Sequence, residues 1–179
     1  MQNKNAQFYL VAAIIIVIVI VGLSTITNYV ITKKSPVKLY DLSQELGEEG
    51  ARVIDYGSYK KEEIPPIIES FTNNFADYAG EQEADIEMVF IYGNESSLKA
   101  VRYTEESTGE VSIIYGTNTF TLPAKGEYVT IDLNPAVSGN KVSINLKGKT
   151  YSFDLKEGEN FLFVLVKEVE GETYTTGSG

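Results

Sequence analysis

The side chains able to do chemistry in this sequence are almost all carboxylates. They cluster at Glu48-Glu49, Glu62-Glu63, Glu81-x-Glu83-x-Asp85 and Glu105-Glu106. Paired carboxylates can hydrolyse a glycoside when a cleft holds them at a fixed separation and pushes their pKa values apart. The alternation at Glu81, Glu83 and Asp85 can gather oxygens around Ca²⁺, but the glycine-containing calcium loop with its distant bidentate Glu is missing. There is no His and no Cys. That removes the Ser-His triad, thiolate nucleophiles, disulfides, His- or Cys-ligated metals and the usual proton shuttle at neutral pH. No Gly-x-Ser-x-Gly, Ser-x-x-Lys or glycine-rich phosphate loop occurs. The carboxylate clusters therefore count as solvated surface charge. The sequence assigns no catalytic residue, no cofactor and no metal ligand, and the expected protein is not an enzyme.

The charges are distributed unevenly. Lys4, Lys33, Lys34 and Lys38 are the only charged side chains in residues 1–39. The remaining 140 residues hold all 25 acids and 11 basic residues, a formal charge of −14. An acidic majority without clustered Lys or Arg argues against nucleic acid as a partner. It also keeps a surface protein soluble and spaced from its neighbours.

Asn5 to Thr32 is a run of 28 residues without a charge, and Phe8–Leu23, FYLVAAIIIVIVIVGL, contains only apolar, aromatic and glycine residues. About 20 helical residues cross the ~30 Å hydrocarbon layer. Residues 7–32 are therefore expected to be a transmembrane helix, with residues 1–6 as a short basic flank. Tyr9 and Tyr29 lie ~30 Å apart on such a helix, the separation of two interfacial aromatic anchors. The run exceeds the apolar stretch of a secretory signal, and no Ala-x-Ala cleavage site follows it. The lysines after the helix favour a cytoplasmic carboxyl side by the positive-inside rule. Against that stand the very short amino flank, the Asn94-Glu95-Ser96 glycosylation sequon, which makes Asn94 a candidate acceptor, and the Thr/Tyr-rich domain that follows. The expected arrangement is a single-pass membrane protein with its carboxyl domain outside the cytoplasm, at the cell surface.

The opening residues Met1-Gln2-Asn3-Lys4-Asn5-Ala6-Gln7-Phe8-Tyr9 form a short polar, basic leader that ends in a small residue and Gln before the apolar helix. This resembles the prepilin-type leader of archaeal type IV pilins and pilin-like surface proteins, over about the first 25 residues. The resemblance implies cleavage between Ala6 and Gln7. It also implies a helix that anchors the subunit in the bilayer and then bundles with copies of itself in a filament core. Asn5 stands where the family prefers a charged residue, and Val11 stands where bacterial pilins carry Glu.

Beyond the helix, residues 33–83 have helical spacing and residues 84–171 have strand spacing. Ser35-Pro36 ends the anchor. Leu39, Leu42, Leu46, Val53 and Ile54 suggest a short helix capped at Asp41, a break at Gly47 and Gly50, and a second short apolar piece ending at Tyr56-Gly57. Pro65-Pro66 open another helix, whose stripe of Ile64, Ile67, Ile68, Phe71, Phe75 and Tyr78 is closed by Gly80. From Ala84 the period becomes two. Runs at Ile86–Tyr92, Leu98–Thr104, Val111–Tyr115, Thr119–Leu122, Tyr128–Leu133, Lys141–Leu146, Thr150–Leu155 and Asn160–Val169 alternate with turn residues. Residues 172–179 are expected to fray as a flexible tail. The fold class expected is a single N-terminal transmembrane helix followed by an α+β ectodomain, with short helices and then a mainly antiparallel β-sandwich of about 7–8 strands. The helices are expected to cap one face or end of the sheet.

These features describe a non-enzymatic, membrane-anchored surface protein, most concretely a pilin-like structural subunit. Its partners are the lipid bilayer and, through the N-terminal helix, copies of itself. The alternative is a permanently signal-anchored β-domain binding module for a glycan, envelope polymer or protein.

Overall fold

The computed structural model describes residues 14–18, 37–83, 85–104, 109–123, 128–134 and 139–178. The chain divides into two compact units, Met1–Ser35 and Pro36–Gly179. In the first unit the described residues, 14–18, are α-helical. Most of the expected 7–32 helix lies outside the described residues. Among the described residues no helix is long and apolar enough to cross a membrane.

The second unit holds helices α1 (Val37–Lys60) and α2 (Ile64–Gln82). Strands β1 (Ile86–Asn94), β2 (Ser97–Tyr103), β3 (Val111–Tyr115), β4 (Asn118–Leu122) and β5 (Val129–Leu133) follow. The chain continues with β6 (Lys141–Leu146), β7 (Lys149–Asp154), β8 (Asn160–Val169) and β9 (Glu172–Gly177). All pairings are antiparallel. One sheet has the order β5-β2-β1-β8-β9 and the other β4-β3-β6-β7.

Strand β1 explains the layering. Its even residues Ile86, Met88, Phe90 and Tyr92 enter a core with Leu39, Leu42 and Leu46 of α1 and Ile68, Phe75 and Ala76 of α2. Its odd residues Val89 and Ile91 enter a second core with Val111, Ile113, Val142 and Ile144 of the four-stranded sheet. Helices, five-stranded sheet and four-stranded sheet thus form three layers, and the middle sheet is buried on both faces. Burying each large apolar side chain on this scale contributes roughly 1.5–3 kcal/mol.

Three sequence expectations are corrected. First, α1 is one 24-residue helix rather than two pieces broken at Gly47 and Gly50. These glycines are points of close approach to β8. A Cβ at Gly50 would sit 2.4 Å from Cε1 of Phe161, and one at Gly47 would touch the ring of Phe163 at 3.8 Å. The helix accepts their entropic cost of ~1 kcal/mol each, relative to Ala, because the aromatic rings of β8 fill the space. It ends where Lys61 turns to positive φ (56°) and Glu62 N–H bonds the carbonyl of Gly57. Second, the polar end does not fray over its whole length: Glu172–Gly177 is strand β9, paired with Val164–Val169 of β8, which raises the described strands to nine. Third, α2 runs past Gly80 to Gln82, and its buried stripe is Ile68, Thr72, Phe75, Ala76 and Ala79. Tyr78 is exposed, and its hydroxyl faces Oε2 of Glu45 at 3.5 Å.

Candidate functional site

The carboxylate clusters do not converge. Glu48-Glu49 lies on α1, where Glu49 Oε1 meets Nη1 of Arg52 at 2.6 Å on the surface. Glu62 and Glu63 are exposed in the turn between the helices. Glu81 and Asp85 are exposed, whereas Glu83 turns inward and pairs with the buried ammonium of Lys167, with Lys38 at 3.9 Å on its outer side. Glu105-Glu106 lies outside the described residues. Among the described residues no group of three Asp or Glu side chains is placed to hold a metal ion.

The most deeply buried charges are ones the strand pattern did not single out. Glu87 of β1 and Arg102 of β2 face the interior between the sheets, with side chains 2% and 0% exposed. Arg102 donates through Nε (2.9 Å) and Nη2 (2.5 Å) to Glu87 Oε1 and through Nη1 to the carbonyl of Pro123 (2.6 Å). A charge in low dielectric persists only when paired and hydrogen-bonded. The signal was available in the phase: Glu87 alternates with Val89 and Ile91, and Arg102 with Leu98 and Ala100, all core residues. With both side chains almost fully buried, the pair locks β1 to β2.

Tyr92 is similarly enclosed. Burial, and then the neighbouring charge of Glu69, push its phenol well above the ordinary value of 10.0. It stays protonated at neutral pH and cannot serve as a base or nucleophile there.

A cleft of about 540 Å³ runs beside the first half of β8. Gly47, Ala51 and Ile54 of α1 form one wall, and Asp154, Lys156 and Glu159 form the other. The opening of β8 is its floor, pinned by Asn160. The Asn160 Nδ2 group donates to the carbonyls of Lys156 (3.0 Å) and Gly158 (3.1 Å), and its Oδ1 accepts from Lys156 N–H (2.8 Å). The cleft joins residues from α1 and β8, more than a hundred positions apart, and neither strand nor helix spacing announces it.

Ala6 and Gln7, the expected cleavage position, lie outside the described residues. Asn94 ends β1 at the tip of the β1–β2 hairpin, after Gly93, whose φ of +117° an added Cβ could not share without striking the carbonyl of Ser97. Asn94 Oδ1 accepts from the N–H groups of Ser96 (3.0 Å) and Ser97 (3.1 Å), and Tyr115 O–H fastens the carbonyl of Glu95 at 2.8 Å. The sequon thus sits in an ordered, outward turn with Glu95 and Ser96 exposed.

Comparison with known proteins finds no matching family model, no matching curated protein and no matching solved structure.

Proposed function

We propose that the protein is a non-enzymatic, membrane-anchored surface protein whose β-rich domain stands outside the cytoplasm, and that it acts as a pilin-like assembly subunit. The observation that carries this reading is the state of Ile14–Ile18. Five consecutive apolar residues are helical and 51–64% exposed, in the middle of a 16-residue apolar run. Such a surface is stable only against lipid or against other apolar helices. The described side chains of both cores belong to the second unit. The leader Met1–Ala6 supplies the resemblance to pilin precursors, and a bundle of these helices would replace lipid in an assembled filament. The cleft beside β8 supports a second reading, an anchored binding module that stays monomeric.

The amino-terminal sequence and intact mass of the protein from native membranes separate the two. The assembly reading expects a terminus at Gln7. An intact Met1 removes it and leaves the anchored module.

A further inference from the structure

Strand β8 is longer than its partner on one side. It has ten residues, and β9 pairs only with Val164–Val169. Ser178 adds one more step: its N–H donates to the carbonyl of Phe163, and its Oγ accepts from Phe163 N–H, both at 3.1 Å. In an antiparallel ladder every second residue turns its N–H and C=O to the same side. Phe161, two residues before Phe163, therefore presents its N–H and C=O to the edge just beyond β9. Neither group has a hydrogen-bond partner among the described residues, and the 540 Å³ cleft opens at this edge. The opposite edge of β8 is fully paired with β1 from Ile86 to Gly93.

The walls of the cleft state what fits. On the α1 side, the small, exposed Ala51 lines the cleft. On the other side Glu159 has a buried Oε2 with no hydrogen-bond partner among the described residues. Glu48 also lines the cleft and accepts from Gln44 Nε2 at 3.0 Å, while Asp154 is paired with Lys141 at 3.5 Å, so Glu159 is the lining carboxylate left to receive a cation. A buried oxygen without a donor costs free energy until one arrives. The Phe161 main-chain donor and acceptor and the unpartnered oxygen of Glu159 together select an extended peptide bearing a basic side chain, bound as an added strand in line with β9.

We propose that the cleft between α1 and the β8 edge at Phe161, which no described residue pairs, is a strand-addition site for an extended, lysine-bearing peptide segment. Phe161 supplies the main-chain pairing and Glu159 receives the ammonium group. This does not depend on the membrane or pilin reading, since every residue involved belongs to the second unit.

The test uses the full-length chain in detergent micelles and a blocked peptide, acetyl-Thr-Val-Lys-Val-Thr-Val-amide. Amide hydrogen exchange at Phe161 is expected to slow at least about tenfold at saturating peptide, as a solvent-facing N–H becomes a ladder bond. Replacing the peptide Lys by norleucine is expected to weaken binding roughly tenfold, the scale of one charge-assisted hydrogen bond. In Glu159→Gln that difference is expected to vanish. Ala51→Trp, on the exposed side of α1, fills the slot and abolishes protection at Phe161. If Ala51→Trp disturbs the fold, the Glu159→Gln and norleucine cycle decides. Unchanged exchange at Phe161 with millimolar peptide overturns the proposal. So does binding that is indifferent to both the peptide lysine and Glu159.

Discussion

Isoleucine occupies two opposite environments in this chain. In the first unit Ile14, Ile15, Ile16 and Ile18 are helical and more than half exposed. In the second unit Ile91, Ile113 and Ile144 are 0% exposed, enclosed between two sheets. The same side chain is hidden where strands alternate and bare where the apolar run is unbroken. The lesson is one of capacity. A face that alternates apolar and polar residues can be satisfied within one chain by folding over a neighbour. A helix that is apolar all round can be satisfied only by surroundings that are apolar all round. The described cores of the acidic domain are lined by its own side chains, and the proposed surroundings of the helix are a bilayer or a bundle of other helices.

Changes confined to one unit should leave the other untouched, and four of them sharpen that contrast. The largest effect is expected from Arg102→Ala, which leaves Glu87 buried without its partner. A loss of about 3–5 kcal/mol in domain stability is expected by urea unfolding followed by circular dichroism. Replacing both partners with apolar residues, Arg102→Met with Glu87→Leu, should recover most of it. Next comes Ile16→Asp. A carboxylate at the centre of the apolar run costs about 2.5–3.5 kcal/mol of insertion, so the membrane-bound fraction should fall while the urea midpoint of the domain stays fixed. Gly50→Val follows, since its side chain must displace the Phe161 ring that stacks on Phe90 at 6.3 Å; about 1–3 kcal/mol of destabilisation is expected in the same unfolding assay.

The smallest effect at neutral pH belongs to Tyr92→Phe. Burial raises the folded-state pKa of Tyr92 above its unfolded value of 10.0. The folded state holds the phenolic proton more tightly, so this contribution is complete below that value and is lost as pH rises above it. The wild type should therefore lose stability in alkali more steeply than Tyr92→Phe, measured as urea midpoints from pH 8 upward. Equal slopes would place the hydroxyl in water.

Much of the domain was legible because strand spacing is a local signal. The runs at Val111–Tyr115, Lys141–Leu146 and Asn160–Val169 match β3, β6 and β8 to the residue. The hairpin of β6 and β7 sets Ile144 opposite Tyr151 and Val142 opposite Phe153. Four features escaped for reasons that are tertiary. Gly47 and Gly50 look like helix breakers until the rings of Phe163 and Phe161 are beside them. Glu172–Gly177 is too polar to look like a strand, yet the exposed edge of β8 pairs with it, and Thr176 Oγ1 donates to Ser43 Oγ of α1 at 2.9 Å. The Glu87–Arg102 pair is invisible to any pattern that treats charge as surface. The cleft escaped too, because it exists only where α1 crosses the start of β8, on the edge that no described residue of β9 reaches.

The central claim is that the apolar run serves an environment outside the chain while the acidic domain is complete in water. Cloud-point detergent phase separation tests it directly. The full-length protein should collect in the detergent-rich phase and the fragment beginning at Pro36 in the aqueous phase. A full-length chain that stays in the aqueous phase as a monomer, in company with that fragment, would contradict the account.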